Sequence, residues 1–250
     1  MISSDEAQLN QWKQRYDRDG FLEIRGLLDA AELAALEAEL DRYFREIAPG
    51  LPAGDIVWEK EPMPDGSRRV RNLWRMEQYS PFFASLAQNP RLLALAGKLV
   101  NGDPVSMGVE LFAKPARVGS AVPHHQDNAY FNLTPPDSFT CWIALDASTP
   151  ENGCVHYTPG SHRWQPLPHK ASGVQGNSMM ADHVPADLVE IPGPLSPGDA
   201  MLHHCLTVHR SEPNRSERPR RGLLIVFKGA HCQRDPEGWA KYSEVRSAVA

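Results

Sequence analysis

The texture of the chain changes near residue 103, and that change limits the available folds more than any other feature. In PVSMGVELFAKPA, Val105, Met107, Val109, Leu111 and Ala113 alternate with Ser106, Gly108, Glu110, Phe112 and Lys114, the period-2 signature of a strand. Similar short runs follow at SFTCWIALD, GCVHYTP, DAMLHHCLTVH and RGLLIVFKG, separated by the turn signals TPPD, ENG, TPGS, IPGPLSPGD and SEPN. Many short strands broken by Gly and Pro point to a β-sandwich, jelly roll or barrel rather than an alternating βαβ fold.

The first hundred residues read mainly as helix. Ser4 is placed to cap a segment through AQLNQWKQRYDRDG, and Gly20 stands where a helix end wants a left-handed residue. After a short FLEIRG strand, LLDAAELAALEAELDRYFREI opens with Asp29 and Glu32 at capping-box spacing and repeats leucine at helical intervals. A third helix is expected over residues 89–100. The irregular stretch 165–198 reads either as a lid over a site or as a surface excursion.

A chain of 250 residues has room for one large domain or two small ones. Its net charge of −5 argues against nucleic acid or an anionic membrane as partner and for a small-molecule ligand. No apolar run approaches the roughly 20 residues of a membrane span, and MISSDEAQLNQW is unlike a signal peptide. A cytoplasmic location is therefore expected; nothing in the chain sets its oligomeric state. Cys141, Cys154, Cys205 and Cys232 show no CxxC spacing and are expected to be reduced and half-buried.

The stretch HHQDNAYF, residues 124–131, carries a His-x-Asp pair whose side chains share a face if the segment is extended. Chance alone supplies about 0.6 such pairs in a chain with these numbers of His and Asp, so the pair needs a third ligand. DAMLHHCLTVHRSEPNRSERPRRGLL offers His203, His204 and His209, of which His203 and His209 share a face in a continuous strand. Two histidines and one carboxylate mark non-haem Fe(II) oxygenases. Zinc hydrolases can use the same set, but there is no HExxH. Arg220 follows His209 at the start of the next strand, where a hairpin would return it to the metal as a fork for the far carboxylate of 2-oxoglutarate.

Taken together and in order, ELFAKP, HHQDNAYF, CWIALD, ENGCVHYTPGSH and VHRSEPNRSERPR resemble the phytanoyl-CoA dioxygenase (PhyH)-like family of Fe(II)- and 2-oxoglutarate-dependent oxygenases. The resemblance spans residues 70–230. It implies a mainly β fold with flanking α: a double-stranded β-helix (jelly roll, cupin-like) with N-terminal helices packed on it. One domain over 1–250 is implied, with 1–102 mostly helical, a jelly-roll core over 103–230, and 165–198 as the lid. It makes His125, Asp127 and His209 the iron ligands, Arg220 and Ser211 the holders of the distal carboxylate, and Trp142 an aromatic wall. Plain core packing is the competing role for Trp142. Arg71 falls near a basic residue that the family uses on the cosubstrate.

His124 is then expected to point away, with His203 and His204 packed or supporting. Asn152-Gly153 suits a tight hairpin turn and Pro159-Gly160-Ser161 a second turn. His162 reads as a turn residue and Lys114 as an exposed strand lysine.

The implied reaction consumes 2-oxoglutarate and O2, releases succinate and CO2, and hydroxylates an unactivated C–H of a small metabolite. Desaturation or ring closure stays open. Asp127 is the carboxylate that halogenating relatives lack. The alternatives are a cupin-like metal-binding sensor and a metal-dependent hydrolase without 2-oxoglutarate. Arg210, Arg215, Arg218 and Arg221 suit either the phosphates of an acyl-CoA or a solvated basic turn.

Overall fold

The computed structural model describes residues 6–249, so the expected cap at Ser4 lies outside the described residues. The first part of the chain comprises α1 (Glu6–Asp19), β1 (Phe21–Ile24), α2 (Ala30–Arg42), β2 (Ile56–Trp58), β3 (Val70–Leu73), α3 (Pro81–Ala87) and α4 (Pro90–Leu99). There follow β4 (Pro104–Lys114), β5 (Val122–His125), the single turn α5 (Asn128–Phe131), β6 (Leu133–Thr134), β7 (Ser138–Ala144) and β8 (Val155–Tyr157). Then come β9 (His169–Ala171), β10 (Met179–Ala181), β11 (Ile191–Gly193), β12 (Ala200–His204), β13 (His209–Ser211), β14 (Arg220–Gly229), β15 (Gln233–Arg234) and α6 (Pro236–Val249).

A seven-stranded sheet in the order β1-β12-β7-β14-β4-β3-β2 faces a four-stranded sheet in the order β11-β8-β13-β5. The pairings are antiparallel, the two-layer pattern of a double-stranded β-helix. Alternation along the large sheet divides its side chains. Val109, Leu111, Cys141, Ile143, Leu202, Leu223 and Ile225 pack on one side against Tyr16, Leu36, Leu40, Phe83 and Leu95 of the helices. Trp142, Met201 and Leu224 face inward and meet Tyr157 of the small sheet. The helices thus cover one face, and the second sheet covers the other.

Local signals for the helices hold. Asp29 Oδ1 accepts from the amides of Ala31 and Glu32, each at 2.9 Å, and Glu32 Oε2 accepts from the Asp29 amide at 3.0 Å. This reciprocal box starts α2. Gly20 ends α1 with φ +82°, and a Cβ there would stand 2.3 Å from His162 Nδ1.

Several expectations need correction. The first hundred residues hold more strand than expected: besides the expected β1, which forms one edge of the large sheet, β3 and β2 extend it beyond β4 on the other. The alternation of β4 is interrupted where Val226 pairs Gly108 but Phe227 pairs Ser106. The bulged Met107 joins Glu110 and Phe112 on the inner side, while Val105 is 41% exposed.

DAMLHHCLTVH is not one strand: β12 ends at His204, the amide of Thr207 donates to the His204 carbonyl at 2.8 Å, and β13 starts in the other sheet. For the same reason β13 and β14 are no hairpin, because the chain crosses between sheets. Asn152-Gly153 likewise ends a 3-10 turn between β7 and β8 instead of a hairpin, with Gly153 at φ +80°. The cysteines are free and fully buried, not half-buried. Among the described residues no helix is long and apolar enough to cross a membrane.

The stretch 165–198 is partly ordered into the β9-β10 hairpin and β11. It is tied to the core where Gln126 Oε1 accepts from the Leu167 amide at 2.8 Å and Tyr130 Oη donates to the Met179 carbonyl at 2.9 Å.

Candidate active site

β13 and β5 pair with His209 opposite His125. Their Nε2 atoms lie 3.6 and 3.5 Å from Asp127 Oδ1, and the ring centroids are 4.1 Å apart. Each ring is oriented from behind: Nδ1 of His125 donates to the Pro123 carbonyl at 2.8 Å, and Nδ1 of His209 to the Thr207 carbonyl at 2.9 Å. That fixes the tautomer and leaves both Nε2 lone pairs facing inward. The carboxylate does not arrive on an extended segment. β5 stops at His125, and Asp127 adopts helical φ −58°, ψ −30° at the start of α5.

The other oxygen of Asp127 is held separately. Thr140 Oγ1 donates to Oδ2 at 2.6 Å, and His203 Nε2 stands 3.0 Å from the same atom. Thr140 and His203 are register neighbours on β7 and β12, so the large sheet supports a ligand set whose histidines belong to the small one.

Burial by itself would raise the Asp127 carboxyl, but the neighbouring imidazoles of His209, His125 and His203 outweigh it and hold the group well below the usual carboxylate range. Burial, with His125 and His203 nearby, pushes His209 well below an ordinary histidine. Two imidazoles and one singly presented carboxylate oxygen, within 4.8 Å of one another, fit a divalent transition metal bound on one face.

The same cavity, of about 390 Å³, is lined by Ser211, Trp142 and Arg220. Arg220, 3% exposed, donates from Nη1 to the Gly153 carbonyl at 3.0 Å, while its Nε is buried without a partner. Its Cζ lies 4.9 Å from the Trp142 ring centroid. Burial draws its pKa down to about 10, which leaves the cation intact at neutral pH. A buried guanidinium with one neutral oxygen partner fits a carboxylate ligand. Trp142 lies so closely over β14 that a Cβ at Gly222 would come within 2.2 Å of the indole. Ser211 is buried two residues beyond His209 on β13.

Arg71 stands apart. Its guanidinium is taken by Glu59 at 3.3 Å and Asn177 Oδ1 at 2.7 Å, and it is not among the residues lining the cavity. Lys114, expected to be exposed, is 2% exposed. Its Nζ donates to the carbonyls of Ser120 at 2.8 Å and Ser211 at 3.4 Å and also binds the Glu212 carbonyl, clamping the segments on either side of the site. Burial, with Arg220 and Arg71 near, lowers its pKa well below that of an ordinary lysine.

His124 turns away to Glu190 at 3.0 Å. His204 accepts from the Leu206 amide at 3.0 Å, and His162 binds the Asp17 carbonyl at 3.1 Å. The basic cluster is largely neutralised. Arg210 pairs with Glu190 and Glu212, Arg218 with Glu151, and Arg221 with Glu37 and Asp146.

Sequence reasoning misses Thr140 and the wall formed by Tyr130, Trp239 and Tyr242, while His203 takes the supporting one of its two expected roles. Thr140 had a signal, since it lies two residues before Trp142 and so on the same strand face.

The phytanoyl-CoA dioxygenase (PhyH) family model matches residues 16–222. The chain is 29% identical over 225 residues to a methylphosphonate hydroxylase of Gimesia maris, covering 89% of this chain and 80% of that protein. It is 27% identical over 246 residues to the peroxisomal phytanoyl-CoA dioxygenase of Bos taurus, covering 94% and 73%. The epimerase SnoN, solved in complex with Fe3+, alpha ketoglutarate and nogalamycin RO, superposes with a TM-score of 0.76 at 25% identity, covering 95% of this chain and 90% of that one. On the family match and the donor set together, the chain belongs to the phytanoyl-CoA dioxygenase family of Fe(II)- and 2-oxoglutarate-dependent non-haem oxygenases.

Proposed function

We propose that the protein hydroxylates an unactivated C–H bond of a small-molecule metabolite. In this reading His125, Asp127 and His209 hold Fe(II), and Arg220 and Ser211 hold the distal carboxylate of 2-oxoglutarate against Trp142. The observation that carries it is the convergence, on one cavity, of two Nε2 atoms 3.5 and 3.6 Å from Asp127 Oδ1 with a buried arginine that has no carboxylate partner among the described residues.

When bound, iron and 2-oxoglutarate supply the activation of O2, with succinate and CO2 as products. The chain's own residues provide geometry. Pro123 and Thr207 carbonyls keep both imidazoles in the metal-binding tautomer, and Thr140 and His203 hold Asp127 to one inward oxygen. Trp142 and Tyr157 exclude water from the inner end. Asp127 occupies the ligand position that a halide would need, which favours hydroxylation over halogenation. The methylphosphonate relative is named a hydroxylase, in keeping with this.

We read 1–250 as one domain, because the helices and the large sheet share a core. The stretch 165–198 is its lid: Gln175, Gly176, Asn177 and Ser178 line the cavity, and Arg71 holds Asn177 from below.

Purified protein given Fe(II), 2-oxoglutarate and air, without a primary substrate, is expected to form succinate slowly by NMR. The Asp127→Asn variant is expected to form none. Bound metal with no succinate would favour the hydrolase or sensor reading.

A further inference from the structure

Part of the cavity lining comes from residues beyond the family-matched region. Arg234, Trp239, Tyr242 and Arg246, from β15 and α6, all line it and all follow residue 222. The Trp239 and Tyr242 rings lie 5.4 Å apart, and Tyr242 meets Tyr130 edge-on at 5.8 Å. Phe112 and Trp74, which also line the cavity, meet edge-on at 5.1 Å. This chamber therefore has an apolar, largely aromatic body.

Its rim is cationic. Five arginines line the cavity against two carboxylates, Glu110 and Asp127, in a protein whose net charge is −5. Arg210 is neutralised by Glu190 and Glu212, Arg75 is paired with Asp55, and Arg220 belongs to the inner end. Arg234 and Arg246 have no carboxylate partner among the described residues. The Arg234 guanidinium is stacked 3.9 Å from the Trp239 ring centroid, and Arg246 donates only to the Gly54 carbonyl, at 3.4 Å.

Arg246 and Arg75 converge, since an Nη2 atom of each lies 4.0 Å from the point where a Cβ at Gly54 would stand. Arg75 does so from a left-handed backbone, φ +54°, an unfavourable conformation for a residue with a side chain. Neither carboxylate offers a counter-charge at the rim. Asp127 is committed to the histidines, and Glu110 forms no ion pair with Arg234 or Arg246 among the described residues.

We infer that the primary substrate is a small organic oxyanion with an apolar body. Arg234 and Arg246 hold its carboxylate or phosphate at the rim, and the body lies along Trp239, Tyr242 and Phe112 with its reacting carbon toward the triad. This rests on the proposed oxygenase reading and adds a substrate class to it. A stacked guanidinium loses little freedom on binding and presents a fixed donor edge to a planar or tetrahedral oxyanion.

The test is calorimetric titration of anaerobic protein loaded with Fe(II) and 2-oxoglutarate. The four probes share one body: 3-phenylpropionate, 3-phenylpropyl phosphate, 3-phenylpropanol and 3-phenylpropylamine. The tighter of the two anions is expected to bind at least about tenfold more strongly than the alcohol or the amine. Whichever anion wins identifies the oxyanion.

The preference is expected to shrink to less than about threefold in Arg234→Gln plus Arg246→Gln, and to survive in Arg234→Lys, which keeps the charge. Either single glutamine variant reads the same loss in part if the double variant does not fold. Equal binding of the four probes, or of none while 2-oxoglutarate binds, overturns the inference. So does a preference that survives the double substitution. Failure of wild-type protein to bind 2-oxoglutarate in the same calorimeter would instead overturn the oxygenase reading.

Discussion

His203 Nε2 lies 3.0 Å from Asp127 Oδ2, the carboxylate oxygen that faces away from His125 and His209. His203, which lies outside the candidate metal-binding group, thereby decides which oxygen of Asp127 remains free. Thr140 makes the second contact to Oδ2, at 2.6 Å, so the aspartate is steered from the sheet opposite the one that carries the histidines.

Thr140→Val keeps the shape of the threonine and removes this donor. Fe(II) affinity, measured by competition with a chelating dye, is expected to fall about tenfold or more, as for other groups that orient metal ligands. An unchanged affinity would mean that His203 suffices.

Arg220 separates charge from geometry. Arg220→Ala is expected to weaken 2-oxoglutarate binding about a hundredfold, because a buried charge-assisted pair costs several kcal/mol to break. Arg220→Lys should recover only part of this, having no planar fork. Equal behaviour of lysine and arginine would count against a bidentate contact.

Lys114 is a structural clamp and its loss should show in stability. Lys114→Met leaves the carbonyls of Ser120, Ser211 and Glu212 short of a donor in a buried setting. Urea denaturation is expected to show a loss of about 1–3 kcal/mol, the cost of one or more buried polar groups left unpaired. No loss would place the lysine among dispensable residues.

Glu110 supplies a pH signature. Burial is the main cause of its raised value of about 8, with Asp127 and Glu77 adding to it and Arg75 opposing. A free glutamate titrates at about 4.3. Between these values the folded, metal-free protein holds a proton that the unfolded chain has released, so this group lowers stability as pH rises through the window. Glu110→Gln removes the effect. Its melting temperature relative to wild type is therefore expected to climb from pH 4 to pH 8, and a constant difference would contradict the assignment.

Much of this architecture is legible in the residues themselves. Period-2 runs broken by Gly and Pro report a two-sheet β fold, and Asp29 with Glu32 reports where α2 begins. The pairing of His125 with Asp127 is local, and His209, Ser211, Arg220 and Trp142 do line one cavity with them.

What sequence spacing misses is which sheet a strand joins. His203 and His209 share the site not through one strand's alternation but because the chain turns at residues 205–208 and returns in the opposite sheet. Lys114 misleads for a related reason: alternation separates two faces, and here both are covered. The wall of Trp239, Tyr242 and Arg246 comes from a C-terminal helix with no pronounced apolar stripe, so it becomes visible only when α6 is seen against β4 and α5.

In the proposed function His125, Asp127, His209 and Arg220 form one iron and 2-oxoglutarate site. Anaerobic protein titrated with Fe(II) and then 2-oxoglutarate tests it without any primary substrate. A weak visible charge-transfer band is expected in the wild type, absent in Asp127→Ala and weakened in Arg220→Ala. Fe(II) binding with no band on adding 2-oxoglutarate would contradict it.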